Sequence, residues 1–425
     1  MNRRLTPPLF ARLLAAAAVF TASVVAAEPL PLVRVESEPA ATPPAVRLLL
    51  ADPLQTQWET DDGRRLRLPA GTILAWGRAP PPPVGPQLAL VDGSLLAGEP
   101  LRWRPERVTV ATPTLGMIEI PAAMVAGWSR HGPVAAAATT IPPRRDGFAA
   151  GAGGATGVRL VLANGDRLGG RVAKADDEPG LRLETRLTRA AGPEVNLPFS
   201  RITTIDAARA ARLPAGRWLV GLADGSRLVA TAIEAVDGGY TIEAGFGNDR
   251  PPRLRCPSGA VTGLIAVGGR VLPLAILEPA SPASFEQSES PGSPWPATRG
   301  RSLVGDENRL RGEPGFTGLG LHSAARIGFS LPRPATRLLS RVGIDDTAGQ
   351  GGSVVVRVRV AAAAGEPLRE VFASDVLRGD DDPLDLDVDL GGAGFVELAV
   401  EPTADGTTLD RSLWLDPRVV LAAEE

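Results

Sequence analysis

The chain has 425 residues and a formal net charge of −3, and only 4 % of it is aromatic. Its 48 glycines and 41 prolines exclude a mainly helical protein and fit many short strands joined by turns and linkers. Lys174 is the only lysine, arginine is scattered, and no basic stripe suited to a nucleic acid is present.

Residues 1–27 read as a targeting segment. Arg3, Arg4 and Arg12 make a basic start, Leu13 to Val25 an apolar stretch, and Val25-Ala26-Ala27 a small-residue cleavage site. Cleavage before Glu28 removes three arginines and takes the net charge from −3 to −6. An uncleaved anchor is the alternative, because the apolar stretch nearly has the length of a membrane span. Cys256 is the only cysteine, which excludes an intramolecular disulfide, and with only His131 and His322 a zinc site of Cys and His ligands is excluded too.

Residues 28–45 are rich in Pro and Ala and are expected to be disordered. Small β units are expected over 46–128, with Pro80 to Pro83 as a stiff spacer. A linker follows over 129–157, then two repeated β units over 158–277, then a second linker over 278–298. A repeat underlies these units. It opens on Asp92-Gly93, Asn164-Gly165 and Asp224-Gly225, each between apolar runs, the signal for a tight two-residue hairpin turn. It closes on a proline, three residues and an apolar run: Pro121 to Trp128, Pro198 to Ile205 and Pro257 to Ile265. Pro69 to Trp76 reads as the closing half of an earlier, worn unit. Alternation in Val108-Thr109-Val110 and Leu181-Arg182-Leu183-Glu184 points to antiparallel strands with one buried face. Residues 206–213 form a short helical connector at most. Gly151 to Gly157 superficially matches a phosphate-binding loop but precedes a strand, so it reads as flexible linker.

No nucleophile elbow, paired histidine or Ser/His/Asp arrangement is present. Asp385, Asp387 and Asp389 share one face of a strand, either as a solvated outer face or as a Ca²⁺ site. Trp414 lies between Asp410 and Asp416, which reads either as an aromatic plate for a sugar or as a core tryptophan.

From about residue 284 the order of motifs is specific. Gly318-Leu319-Gly320-Leu321-His322-Ser323 is followed by Val342-Gly343-Ile344-Asp345-Asp346 and Gly352 to Val358. Val376-Leu377-Arg378-Gly379-Asp380 and Asp410 to Asp416 complete the series. This region resembles the NPCBM family of carbohydrate-binding-type modules. It departs from the family at Ala361 to Ala364 and at Ser412. The resemblance implies a jelly-roll β-sandwich, placed at 299–425 with a start as early as 284, that binds a glycan without catalysis. The ligand-binding candidates it implies are His322, Asp345, Asp346, Arg378, Asp410, Trp414 and Asp416. Asp345 and Asp346 are also candidates for a structural calcium ion.

The expected fold is all-β, with tandem small barrel-like units followed by the sandwich. The expected function is that of an exported, non-enzymatic protein that binds glycans or polysaccharide at the cell envelope or outside the cell. The alternative is a structural or assembly protein that contacts envelope proteins through its β repeats.

Overall fold

The computed structural model describes residues 30–34, 44–132, 157–174, 179–187, 190–207, 209, 216–246, 251–280, 284–285, 297–304 and 308–423. The expected targeting segment and much of the expected linkers 129–157 and 278–298 lie outside these residues, as does most of 206–213. Among the described residues the chain forms strands joined by turns and single 3-10 turns.

Four five-stranded units come first. The first comprises β1 (Leu30–Arg34), β2 (Ala45–Ala51), β3 (Gln55–Thr60), β4 (Arg65–Pro69) and β5 (Ile73–Gly77). The second comprises β6 (Gln87–Leu90), β7 (Leu95–Ala97), β8 (Glu99–Trp103), β9 (Arg107–Thr112), β10 (Gly116–Pro121) and β11 (Val125–Ser129), with β7 and β8 sharing one position. The third comprises β12 (Gly157–Leu162), β13 (Arg167–Val172), β14 (Gly180–Leu187), β15 (Ala190–Leu197) and β16 (Ile202–Asp206). The fourth comprises β17 (Trp218–Leu222), β18 (Arg227–Val236), β19 (Gly239–Ala244), β20 (Arg253–Pro257) and β21 (Val261–Ala266). In each unit the last strand pairs with the first, and the others follow as an antiparallel meander. The repeated prolines end the fourth strand of every unit. Pro69, Pro121, Pro198 and Pro257 have φ of −59°, −56°, −65° and −60°, which sets the chain into a 3-10 turn before the closing strand.

Two expectations about these units need correction. Leu30–Arg34 falls in the stretch expected to be disordered, yet it is strand β1, with Leu32 buried and opposite Trp76. The first unit is therefore complete rather than a remnant. Its opening strand is five residues long, and the Pro/Ala-rich flanks hide so short an apolar run. The hairpin turns also differ from the expected two-residue type. Gly93, Gly165 and Gly225 have φ of +93°, +88° and +88°, whereas the Asp or Asn before each stays at negative φ. The Leu90 N–H reaches Ser94 O and the Gly93 N–H reaches Leu90 O, a three-residue loop closed by a glycine bulge. The side chains of Asp92, Asn164 and Asp224 accept from the N–H two residues on, which holds each turn.

The units join in pairs through their closing strands. β5 pairs with β21, and β11 pairs with β16. Gly77 and Gly263 face each other where β5 meets β21. A Cβ on either would sit 2.4–2.5 Å from a backbone oxygen, so only glycine permits this approach. β7 meets β18, which places the second unit beside the fourth. The resulting spatial order is third, second, fourth, first, over one continuous apolar core. Trp58, Trp76, Trp103, Trp128 and Trp218 are all buried in it. Each removes on the order of 150–250 Å² from water, several kcal/mol at about 25 cal/mol per Å², so a few aromatics carry much of the packing.

The sandwich is built from β22 (Val271–Pro273), β23 (Ser284–Phe285), β24 (Thr298–Arg299), β25 (Arg309–Leu310), β26 (Glu313–Pro314), β27 (Gly318–His322), β28 (Ala325–Ile344), β29 (Ser353–Ala361), β30 (Arg369–Ala373), β31 (Leu377–Arg378), β32 (Leu384–Pro402) and β33 (Arg411–Leu421). The main sheet runs β24-β27-β33-β28-β32-β29-β30. β28 and β32 are long and irregular at their middles, around Ser330 to Ala335 and at Gly391-Gly392. The C-terminal half of β28 pairs with β33 and the C-terminal half of β32 pairs with β29, while β28 and β32 pair with each other along both halves, so the sheet folds over a single core. β22 pairs with β33, and Leu272, Leu274, Ala275 and Leu277 lie in the sandwich core. The sandwich thus recruits residues expected to close the fourth unit. Phe316 of the sandwich packs into Leu219, Val229, Ile265 and Val267 of that unit.

The aspartate strand face is an ion-paired outer surface. Asp387 accepts from Arg337 Nε at 2.8 Å, Asp385 lies 3.1 Å from Arg341 Nε, and Asp389 accepts from the Gly391 N–H. Arginines of β28 supply the counter-charge that the like-charged row requires.

Candidate binding site

Three loops converge at one end of the sandwich: Gly349–Gly352 before β29, Gly379–Asp382 after β31, and Thr403–Asp410 between β32 and β33. They enclose an open cavity of about 240 Å³, lined by Gln350, Gly352, Ser353, Arg378, Asp380, Asp405, Thr408 and Asp410. A Cβ on Gly352 would sit 2.3 Å from Leu409 O, and one on Gly379 would meet the carbonyls of Gly349 and Gly351 at 2.6 Å. These glycines let the loops close on one another. Leu409 has φ of +61°, unusual for a branched side chain, and its carbonyl accepts from Arg411 N–H at 2.7 Å. That tight bend carries Asp410 to the floor of the cavity.

The polar groups form a connected set. Arg378 Nη1 donates to Asp405 Oδ2 at 3.2 Å, and Arg378 N–H donates to Asp381 Oδ2 at 2.7 Å. The Ser353 hydroxyl lies 2.5 Å from Thr403 Oγ1 and 3.4 Å from Asp405 Oδ2. Asp410 is 1 % exposed; its Oδ1 accepts from Ser353 N–H at 2.8 Å, and its Oδ2 is buried. Burial raises its pKa, opposed by the Ser353 N–H. The floor is thus a desolvated acceptor, and the walls are exposed donors and acceptors.

Of the seven candidates from the sequence, Arg378 and Asp410 line this cavity. His322 is half-buried behind it, with Nδ1 3.4 Å from Ser323 O; burial lowers its pKa, which favours the neutral ring. Asp345 is buried, and its Oδ1 accepts from Thr347 N–H while its Oδ2 accepts from the Ser302 hydroxyl. Asp346 accepts from Arg311 N–H and Gly312 N–H at 2.6 and 2.9 Å, clamping the β25–β26 turn. All four oxygens of this pair already hold hydrogen bonds. A calcium ion needs six to eight oxygens, and among the described residues no three His, Cys, Asp or Glu gather to hold a metal. Asp416 accepts from Thr317 N–H at 2.7 Å and returns its own N–H to Thr317 O, a staple between β27 and β33. Trp414 corrects the aromatic-plate reading: it is 0 % exposed within the sandwich core and presents no face to solvent.

Asp405 and Thr408 were not singled out by sequence. Their signal is the polar turn Thr403-Ala404-Asp405-Gly406-Thr407-Thr408 between two long apolar strands.

A β-sandwich with a shallow polar cavity among its end loops has the architecture of a small binding module. Residues 280–420 match the family model of the NPCBM/NEW2 domain, so the C-terminal third of the chain carries an NPCBM domain. Similar solved structures include a family 51 carbohydrate-binding module of a family 95 glycoside hydrolase from Clostridium perfringens, in complex with methyl-galactose. It is 22 % identical with a TM-score of 0.30, over 35 % of this chain and 99 % of that one. The second such module of Clostridium perfringens ZmpB, with its INT domains, is 24 % identical with a TM-score of 0.31, over 45 % of this chain and 40 % of that one. Tandem modules of a family 98 glycoside hydrolase from Streptococcus pneumoniae are 11 % identical with a TM-score of 0.29, over 62 % of this chain and 88 % of that one. No curated protein matches the chain.

Proposed function

We propose that this protein is an exported, non-catalytic glycan-binding protein of the cell envelope or extracellular space, and that its sandwich cavity holds the sugar. The observation that carries the reading is the coincidence of an NPCBM domain with a cavity of amide, hydroxyl, guanidinium and carboxylate groups. Such groups match the hydroxyls of a sugar, which need both donors and acceptors. Among the described residues no aromatic ring lines the cavity, so stacking adds little and affinity should lie in the micromolar to millimolar range, roughly 4 to 8 kcal/mol. A glycan array with the protein lacking residues 1–27 tests the reading; absence of binding across a broad panel overturns it. N-terminal sequencing of protein from an envelope fraction tests export, with Glu28 expected first.

The four β units support a second role. Phe316 and the β22 segment fasten the sandwich to them, a fixed mount rather than a flexible tether. On this reading the units hold the module at the envelope by contacting another protein there. Co-purification with the units alone, residues 28–268, distinguishes this role from glycan binding.

A further inference from the structure

The cavity sets one guanidinium, Arg378, against three carboxylates, Asp380, Asp405 and Asp410. Arg378 does not offer its charge freely, because Nη1 is held by Asp405 Oδ2 at 3.2 Å. Asp381, beside Asp380 in the same loop, adds a further negative charge at the rim and accepts from the Arg378 backbone. On the floor, the Asp410 carboxyl is buried, and burial resists its ionisation more than the Ser353 N–H and the Ser323 hydroxyl favour it. A group that brought a positive charge to this cavity would relieve that cost and attract the exposed carboxylates. A group that brought a second negative charge would meet repulsion from all of them.

We infer that the cavity discriminates glycans by charge, favouring a hexosamine with a free ammonium group over the neutral sugar and disfavouring a uronic acid. This rests on the glycan-binding reading and adds to it the chemical class of the ligand. Asp380 and Asp405 are solvent-exposed, so the effect is modest and screened by salt. A unit-charge contact near 4 Å in a water-like dielectric corresponds to about fivefold in affinity.

The test uses the protein lacking residues 1–27 and calorimetric titration with methyl glycosides of glucose and galactose, each in 2-amino, neutral and uronic form, at a pH where the amine is protonated. In whichever series the neutral glycoside binds, the amine should bind about fivefold tighter and the uronate about fivefold weaker, and raising the salt should compress both ratios. Asp380→Asn should lower the amine-to-neutral ratio. Equal affinities for the three forms, or a preference for the uronate, would overturn the charge inference and leave glycan binding standing. Failure of all six probes, together with a blank glycan array, would overturn both.

Discussion

Ser94 and Ser226 exchange hydrogen bonds between two units of the repeat. The Ser94 hydroxyl accepts from the Val229 N–H at 2.9 Å, and the Ser226 hydroxyl accepts from the Ala97 N–H at 2.9 Å. Each serine follows the glycine of its own hairpin, and each donor lies three residues beyond the partner serine. The second and fourth units therefore dock by a local two-fold swap, with Leu95 and Arg227 paired beside it. Both serines are buried, so their hydroxyls satisfy backbone groups that water cannot reach.

Replacing Ser94 or Ser226 by alanine should leave a buried N–H without an acceptor and cost roughly 1–3 kcal/mol each. Urea denaturation monitored by tryptophan fluorescence would show an earlier midpoint for the β units. Asn164→Ala, in an exposed turn of the third unit, should cost less. Equal losses at Ser94 and Asn164 would count against the swap as a stabilising contact.

The boundary of the sandwich yields a second prediction. Leu272, Leu274, Ala275 and Leu277 belong to its core, and β22 completes the edge of β33. A fragment of residues 268–425 should melt cooperatively, whereas 284–425 loses four core side chains and should melt lower or not cooperatively. Burying an aliphatic side chain is worth about 1.5–3 kcal/mol, so the loss is comparable to the stability of a small domain. Matching thermal transitions in the two fragments would return the boundary to the linker.

Much of this architecture was legible because its signals are local. Asp-Gly or Asn-Gly and the later proline mark the second to fourth units, since a positive φ and a fixed φ are demands a single residue meets. The first unit was half-hidden: β1 is one short run whose partner strand, β5, lies some forty residues on. The boundary at β22 was missed for a related reason, as Val271 to Pro273 pair with Val420 to Arg418 at the far end of the chain. At the site, the motifs located the sandwich but not the orientation of its side chains. Asp345, Asp346 and Asp416 sit in marked segments, yet their carboxylates hold backbone turns. Asp405 lies in a turn with no motif and lines the cavity. Sequence proximity to a motif does not report which way a carboxylate faces.

Asp92 predicts a pH dependence. Burial raises its pKa above the ordinary 3.8, opposed by the Ser94 N–H it accepts from. A carboxyl whose folded-state pKa lies above its unfolded value adds stability fully present below the unfolded value, and lost as pH rises through the folded one. Asp92→Asn keeps an acceptor for Ser94 and carries no charge. The variant should melt higher than the wild type at neutral pH, and the gap should shrink as the pH falls through the raised folded-state pKa and be closed by the ordinary value of 3.8. A difference that does not change with pH would remove Asp92 ionisation from the stability of this turn.

Trp414 and Asp405 should separate folding from binding. Trp414→Ala removes a ring that is 0 % exposed among Leu321, Val342 and Val419 of the sandwich core, so it should cost roughly 3–5 kcal/mol. Any loss of glycan binding would then follow the unfolded fraction and recover on cooling or with a stabilising co-solvent. Asp405→Ala removes an exposed carboxylate whose contacts are Arg378 and Ser353. Its cost to stability should stay within about 0.5 kcal/mol, as for most surface changes. Binding should nevertheless fall at least tenfold, because an acceptor facing the sugar is lost and Arg378 loses the group that fixes its position. Thermal melts and calorimetric titration on the same two samples decide the matter. Full binding by a folded Asp405→Ala protein would move the glycan away from this cavity, whereas a stable Trp414→Ala protein that has lost binding would return the indole to the ligand site.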